Sequence, residues 1–225
     1  MNNVVCVWAG EAYSEEYVKR LSSIAHLYTT KKINFICFTD RKRQPIEGVE
    51  FRYLPQLDIE KLWWYKVYIF SKESGLSGDC LYLDLDLVIV KTLDPFLEHT
   101  GDFVILQDFN RVIYSNYKIS NSSIIKWKHE KARYIWDKFL PNIKTITKQF
   151  RGDQDYITNI VGANKTWWPK RLACSYKWEW LQTEEFASPH IIVFHGNPKP
   201  EDFNFELTKM IEDKRDRIGK NKIYR

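Results

Sequence analysis

The sequence predicts a single α/β domain in which helices flank a mixed, mostly parallel central sheet. Strand and helix signals alternate through the first 90 residues, the pattern expected of a parallel sheet with crossover helices. A length of 225 residues with 44% hydrophobic side chains gives one domain enough apolar surface for a large core. The nine glycines and eight prolines are too few for a collagen-like or low-complexity chain.

The first half of the chain carries the clearest strand and helix signals. Apolar runs predict strands at 4–8 and 33–38, and a weaker strand at 49–53. Ser14 precedes two glutamates and an apolar helical face, so a helix begins there. A second helix is predicted over 58–74, with aromatic and aliphatic residues at helical spacing.

The second half is less regular. Strands are predicted at 103–107, 119–127 and 191–195. A helix is predicted over 129–140, and Asp153 is a suitable N-cap for a short helix that ends near Val161. The four cysteines have no CxxC spacing, and we expect buried free thiols at Cys6, Cys37, Cys80 and Cys174.

The charge balance excludes some function classes. The net charge of +5 comes from lysines and arginines dispersed along the chain, which suits anionic small molecules or an acidic membrane better than nucleic acid. No apolar stretch reaches the roughly 18 residues of a membrane span, and no signal peptide is evident. The expectation is a cytoplasmic protein whose basic tail, 206–225, contacts acidic membranes peripherally.

The most informative segment is the apolar run 80–90, which contains Asp84 and Asp86. On one continuous strand, residues two apart point to the same face. Two neighbouring carboxylates in apolar surroundings repel each other and lose solvation, so folding alone does not favour them. A hard divalent cation would supply the missing charge. The alternative is a strand end whose aspartates face water.

Three later segments follow the aspartate pair in order. They are Ser-Asn-Ser-Ser-Ile-Ile at 120–125, Gly-Asp-Gln-Asp at 152–155 and His-Gly-Asn-Pro-Lys-Pro at 195–200. Together with the pair, they resemble the motifs of GT-A glycosyltransferases, particularly glycosyltransferase family 8, although Ser123 replaces the usual glycine. The resemblance extends over residues 3–201. It implies a Rossmann-like GT-A domain at 1–205, with a nucleotide-binding half at 1–92 and an acceptor-side half at 93–205.

The resemblance implies transfer of a sugar from a nucleotide-sugar donor to a hydroxyl of a glycan or glycolipid, with retention of anomeric configuration. Asp84, Asp86 and His195 would bind Mn²⁺ or Mg²⁺, which neutralises the departing diphosphate. Asp84 would also reach the donor. A UDP-sugar is favoured, with a GDP-sugar as the alternative. An ordinary strand-end histidine is the other interpretation of His195.

Further residues are implied to bind the donor. Lys66 and Lys199 would contact the phosphates, and Asn121 would bind sugar hydroxyls. Tyr13 follows the first predicted strand, where it could stack on the nucleobase, and Thr39 with Asp40 follows the second. The alternatives are a lysine stem packed along its helix for Lys66, a solvated loop lysine for Lys199, and an aromatic core residue for Tyr13.

The catalytic candidates are Gln154 and Asp153. A glutamine is a poor nucleophile, so the expected role of Gln154 is to position the sugar and stabilise developing positive charge. Four late tryptophans could stack on an acceptor sugar or could instead close a small core: Trp167, Trp168, Trp178 and Trp180.

Two other function classes remain open. A hydrophobic run followed by Asp-x-Asp is also typical of phosphatases with an aspartate nucleophile. Their first aspartate lies near the N-terminus, whereas about 80 residues precede Asp84 here. The other class is a sugar-binding protein without turnover, which the presence of Asp84, Asp86, His195 and Lys199 disfavours.

Overall fold

The computed structural model describes residues 2–114, 116, 118–180 and 188–203. The strands are β1 (Asn2–Trp8), β2 (Ile33–Thr39), β3 (Val49–Tyr53), β4 (Asp79–Leu83), β5 (Leu87–Ile89), β6 (Phe103–Gln107), β7 (Ser120–Lys128), β8 (Thr166–Trp167), β9 (Ala173–Ser175) and β10 (Ile191–Val193). The α-helices are α1 (Glu15–Leu27), α2 (Asp94–Glu98), α3 (His129–Ala132), α4 (Tyr134–Phe139), α5 (Ile143–Gln149) and α6 (Asp153–Val161).

Shorter helical segments complete the described chain. The 3₁₀ helices are Leu62–Phe70, Lys72–Ser74, Phe109–Val112, Leu140–Asn142 and Pro200–Phe203, and Tyr176–Trp180 is a π-helical turn. Within the described residues, no helix combines the length and apolar character needed to cross a bilayer. The predicted membrane-contacting tail, 206–225, lies outside these residues.

The central sheet has seven strands in the order β3-β2-β1-β4-β7-β6-β8. Strand β7 pairs antiparallel with β4 and β6, and the other pairs in this sheet are parallel. A smaller sheet has the order β5-β10-β9. The predicted fold class, a mixed and mostly parallel sheet with flanking helices, is therefore confirmed.

Residues on the two faces of the central sheet belong to different hydrophobic clusters. Val4 and Cys6 of β1 pack on one side together with α1, whereas Val5 between them packs on the other side with the helix Leu62–Phe70. This alternation is the two-residue period of a strand. All four cysteines are buried and free, as predicted.

The predicted continuous strand over 80–90 is wrong. Strand β4 ends at Leu83 in the central sheet, and β5 begins at Leu87 in the small sheet. The chain turns between them because β5 pairs with β10 rather than extending β4 along its neighbours. The aspartate pair lies in this turn, and the leucines at 83, 85 and 87 are buried.

Two helix predictions also need correction. The segment predicted as a helix over 58–74 forms 3₁₀ turns that begin at Leu62, and residues 64–70 are all buried. A segment buried all round has no polar face to mark its helical period. At α6 the N-cap is Gly152, whereas Asp153 is the first helical residue.

A carboxylate joins the end of α1 to α2. Asp94 accepts hydrogen bonds from the Thr29 hydroxyl at 2.6 Å, the Thr30 hydroxyl at 2.7 Å and the Thr30 N–H at 3.0 Å. The hydrogen bond from Thr29, followed by those from Thr30, lowers the pKa of Asp94 to about 2. The ionised carboxylate therefore stabilises the folded chain.

We expect Asp94→Asn to destabilise the protein at pH 7 by about 1 kcal/mol, a modest loss because the carboxylate lies close to solvent. Since the pKa is lower in the folded state than its unfolded value of about 3.9, this stabilisation is present above about pH 4 and disappears as the pH falls towards 2. Urea unfolding of both proteins from pH 7 to pH 2.5 measures it. A difference that does not change with pH would contradict the assignment.

Candidate active site

The candidate site lies at the carboxyl edge of the parallel strands. Tyr13 follows β1, Asp40 follows β2 and Asp84 follows β4, and these strands are neighbours in the sheet. In open α/β sheets, ligands bind beyond this edge because the loops there converge. The fold therefore brings together residues that are far apart in the sequence.

Lys66 is the centre of a buried charge cluster. Its ammonium Nζ lies 3.0 Å from Asp84 Oδ1 and 3.1 Å from Asp153 Oδ2, and it donates a 3.0 Å hydrogen bond to the Ser122 hydroxyl. Burial alone would lower the pKa of Lys66, but the carboxylates of Asp153 and Asp84 outweigh it and raise the pKa. Lys66 is therefore a fixed cation that joins three segments of the chain.

Asp86 has a separate cation. Its Oδ2 accepts hydrogen bonds from Lys199 Nζ at 2.5 Å and from the Tyr13 hydroxyl at 2.9 Å. Burial raises the pKa of Asp86, and the nearby charge of Asp84 raises it further. The pKa of Tyr13 is raised by burial and by both aspartates. The two aspartates thus influence each other electrostatically although each has its own lysine.

The predicted role of Tyr13 in stacking on a nucleobase stays a prediction. Its hydroxyl is engaged by Asp86, and the ammonium of Lys199 lies 5.0 Å from the centre of its ring. Tyr17 packs edge-on against the same ring at a centroid distance of 4.8 Å. In the described structure, Tyr13 therefore helps to hold the Asp86–Lys199 pair.

His195 follows a residue that contacts Asp86, but its own ring points elsewhere. The preceding residue, Phe194, donates its N–H to the Asp86 carbonyl at 3.3 Å. The imidazole Nε2 hydrogen-bonds to the Ser175 hydroxyl at 2.7 Å, and the ring stacks on Phe109 at a centroid distance of 5.4 Å. Burial, followed by the charge of Lys177, lowers the pKa of His195, which favours the neutral ring.

The predicted metal triad is not assembled. Among the described residues, no three histidine, cysteine, aspartate or glutamate side chains form a group that could hold a metal ion. His195 is directed to Ser175 rather than to the aspartates. Asp84 and Asp86 each bind a separate lysine, and their carboxylate oxygens are of the ligand type that Mg²⁺ and Mn²⁺ prefer.

A polar cleft of about 260 Å³ contains other predicted residues. It is lined by Asp108, Phe109, Asn110, Asn121, Gln154, Trp178 and His195. Gln154 donates its side-chain N–H to Asp108 at 3.2 Å and accepts the Ser122 N–H at 3.2 Å. The amide of Asn121 accepts the Ser123 N–H at 3.0 Å. Neutral amides and an indole are groups that bind sugar hydroxyls and apolar sugar faces.

The four late tryptophans have different environments. Trp168 is buried and donates its indole N–H to the Ile124 carbonyl at 3.0 Å, and Trp180 is buried in the cluster around the small sheet. Trp167 is partly buried against the core. Trp178 is 38% exposed and lines the cleft. Burial favours the core alternative for Trp168 and Trp180, and the acceptor role of Trp167 and Trp178 stays a prediction.

Sequence reasoning missed several residues near the site. Asp108, Phe109 and Asn110 line the cleft, and Ser122 binds both Lys66 and Asp153. The first three directly follow the predicted strand 103–107, so the strand-end signal used for Tyr13 could have identified them. A buried serine in a strand gives no comparable signal.

The chain was compared with known proteins. No protein-family model and no curated protein matches it. Among solved structures, an active-site mutant of LgtC is 12% identical with a TM-score of 0.65, covering 88% of this chain and 89% of that one. The galactosyltransferase LgtC in complex with donor and acceptor sugar analogues is also 12% identical, with a TM-score of 0.62 and 94% coverage of both chains.

The glycosyltransferase GlyE of Streptococcus pneumoniae TIGR4 is 12% identical with a TM-score of 0.62, covering 89% of this chain and 56% of that one. This chain has the glycosyltransferase fold. The mixed sheet and its similarity to these structures confirm the GT-A fold class predicted from the motifs. At this identity the similarity establishes architecture, and the activity has to be argued from the site itself.

We expect Lys66→Met to lower the free energy of unfolding by about 3 kcal/mol, because it leaves the buried carboxylate of Asp153 and the partly exposed carboxylate of Asp84 without their cation. Chemical denaturation at pH 7 measures this loss. Lys144 pairs with Asp58 on the surface, so Lys144→Met is the matched control and should change little. Equal effects of the two substitutions would show that the Lys66 cluster has no special structural role.

Proposed function

We propose that this protein is a metal-dependent glycosyltransferase that moves a sugar from a nucleotide-sugar to a hydroxyl of a glycan or glycolipid. One observation carries the proposal: a cluster of three carboxylates and two ammonium groups lies at the carboxyl edge of a glycosyltransferase fold. The carboxylates belong to Asp84, Asp86 and Asp153, and the ammonium groups to Lys66 and Lys199. A polar cleft accompanies this cluster.

The charges of this cluster support a bound cation. Three carboxylates and two ammonium groups leave one negative charge without compensation, in surroundings that raise the pKa of Asp86. Asp84 and Asp86 would hold Mn²⁺ or Mg²⁺, which when bound supplies positive charge to the departing diphosphate. His195 would become a third ligand only if its ring turned away from Ser175, because Nε2 is hydrogen-bonded there in this structure.

The lysines would act on the same leaving group. Lys199 lies in the segment after β10, near the other end of the sequence from Tyr13. Its ammonium contacts the Tyr13 hydroxyl and Asp86. We propose that Lys199 and Lys66 stabilise the negative charge that accumulates as the nucleoside diphosphate departs. The donor would be a UDP-sugar in preference to a GDP-sugar.

The cleft would hold the reacting sugars. Asn121 and Gln154 present amide groups for hydroxyls of the donor sugar, and Trp178 offers an exposed indole to the acceptor. Asp153 would act indirectly, because its Oδ2 already contacts Lys66 and the Ser122 hydroxyl. Gln154 would position the sugar and stabilise positive charge near the anomeric carbon. Retention of anomeric configuration is part of this proposal.

We expect release of nucleoside diphosphate from a UDP-sugar to require Mn²⁺ or Mg²⁺ and to fall at least 100-fold in Asp86→Ala, because the leaving group loses its charge stabilisation. Chromatography of the nucleotide products, with and without EDTA, measures this. Asp102→Ala is the control, since Asp102 is an exposed partner of Lys128 and Lys131. Turnover that survives both EDTA and Asp86→Ala would refute the metal role, and binding without turnover would favour a sugar-binding protein.

We expect Trp178→Ala to raise the acceptor KM by about tenfold while donor hydrolysis changes little, because one stacking surface is lost. Trp178→Phe should retain much of the affinity. Tyr53 is an exposed aromatic residue on the edge strand β3, so Tyr53→Ala serves as the control. Steady-state kinetics with glycan acceptors measures both parameters. An unchanged acceptor KM in Trp178→Ala would place the acceptor elsewhere.

A further inference from the structure

A buried ion pair lies behind the cleft. Arg111 Nε donates to Glu179 Oε1 at 3.0 Å and Arg111 Nη2 donates to Oε2 at 3.2 Å, so the contact is bidentate. The side chains are 3% and 1% exposed. Neither residue lines the cleft, and the charge cluster around Lys66 does not include them.

The ion pair joins segments that are distant in sequence. Arg111 lies in the 3₁₀ helix Phe109–Val112 and also donates from Nη1 to the carbonyl of Gln107 at 3.3 Å, at the end of β6. Glu179 lies in the π-helical turn Tyr176–Trp180 and accepts the Ser175 N–H at 3.0 Å, at the end of β9. The guanidinium of Arg111 thus links the end of β6 to the small sheet, through Glu179 and through a 3.5 Å hydrogen bond from Nη2 to the carbonyl of Ala173 in β9.

Each of the two linked segments contributes residues to the lining of the cleft. Phe109, two residues before Arg111, stacks on the His195 ring with an interplanar angle of 11°. The Ser175 hydroxyl contacts the same His195 ring at 2.7 Å and accepts the Trp178 N–H at 3.2 Å. The position of Trp178 relative to Phe109 therefore depends on how the two segments are joined.

Stability alone does not explain a charged pair in this place. The free energy lost when two charges leave water is about as large as the free energy gained from their attraction. Well-packed apolar residues therefore often stabilise a fold equally well. An arginine–carboxylate pair adds direction, because the planar guanidinium fixes the angle between its two hydrogen bonds. This fixed geometry can hold the segment of Phe109 at a constant distance from the segment of Trp178.

We propose that Arg111 and Glu179 are positioning residues that set the spacing between Phe109 and Trp178 and thereby the affinity of the cleft for the acceptor sugar. The identity of the ligand rests on the proposed function. The positioning role does not rest on the proposed function, since it concerns the arrangement of Phe109, His195 and Trp178 in the protein without substrate.

The main test is the double variant Arg111→Met with Glu179→Leu, which replaces the charges with apolar groups of similar size. We expect it to fold, with the ring-current shift that Phe109 imposes on the His195 imidazole protons reduced in NMR spectra. The acceptor KM should rise about tenfold while kcat for donor hydrolysis stays within about threefold. The conservative variant Arg111→Lys keeps the charge without the planar fork and should show intermediate effects.

Lys126→Met is the matched control. Lys126 is also buried and binds the carbonyls of Leu97 and His99, but it does not line the cleft. It should leave the His195 shifts and the acceptor KM unchanged. An unchanged KM and unchanged shifts in the folded double variant would overturn the proposal.

Two further results have a defined meaning. If the double variant does not fold, Arg111→Lys decides: altered His195 shifts with a raised acceptor KM support positioning, and wild-type values for both overturn it. If the wild-type protein transfers no sugar, the proposed function fails. The His195 proton shifts then test the positioning role by themselves: changed shifts in the double variant support it, and unchanged shifts overturn it.

Discussion

The site depends on the contact of one buried ammonium with two carboxylates. Lys66 enters from a 3₁₀ helix, Asp84 from the end of β4 and Asp153 from the first residue of α6. Any one of these charges would be costly to bury alone, so the three segments have to come together. Because α6 also carries Gln154, the same contact fixes one end of the cleft.

The sequence predicts most of the scaffold because the signals involved are local. Apolar runs mark β1, β2 and β4, and polar residues directly after them mark the binding edge of the sheet. Asp84 and Lys66 could be identified in this way, since a charged residue inside an otherwise apolar segment needs a partner. Asp153 was identified as a site residue, although its capping role was wrong because Gly152 is the N-cap.

The remaining features depend on contacts between residues far apart in sequence. The turn at 84–86 arises because β5 pairs with β10, about 100 residues later. The residues around the turn do not indicate which strand β5 will pair with. The direction of the His195 ring depends on Ser175 and Phe109 in two other segments. Trp178 and Trp180 differ in exposure although they are two residues apart, because the π-helical turn directs one to the cleft and the other to the core.

The division of the site into a charged cluster and a polar cleft fits the proposed transfer of a sugar. A diphosphate gains negative charge as it leaves, so fixed cations next to it act mainly in the transition state. The hydroxyls of a sugar can bind to the amides and to the Asp108 carboxylate of the cleft, and an apolar sugar face can stack on the indole of Trp178. Ser122 connects the two parts, because its hydroxyl contacts Lys66 and Asp153 while its N–H contacts Gln154. A displacement of the charge cluster would therefore move the amide that is proposed to lie beside the anomeric carbon.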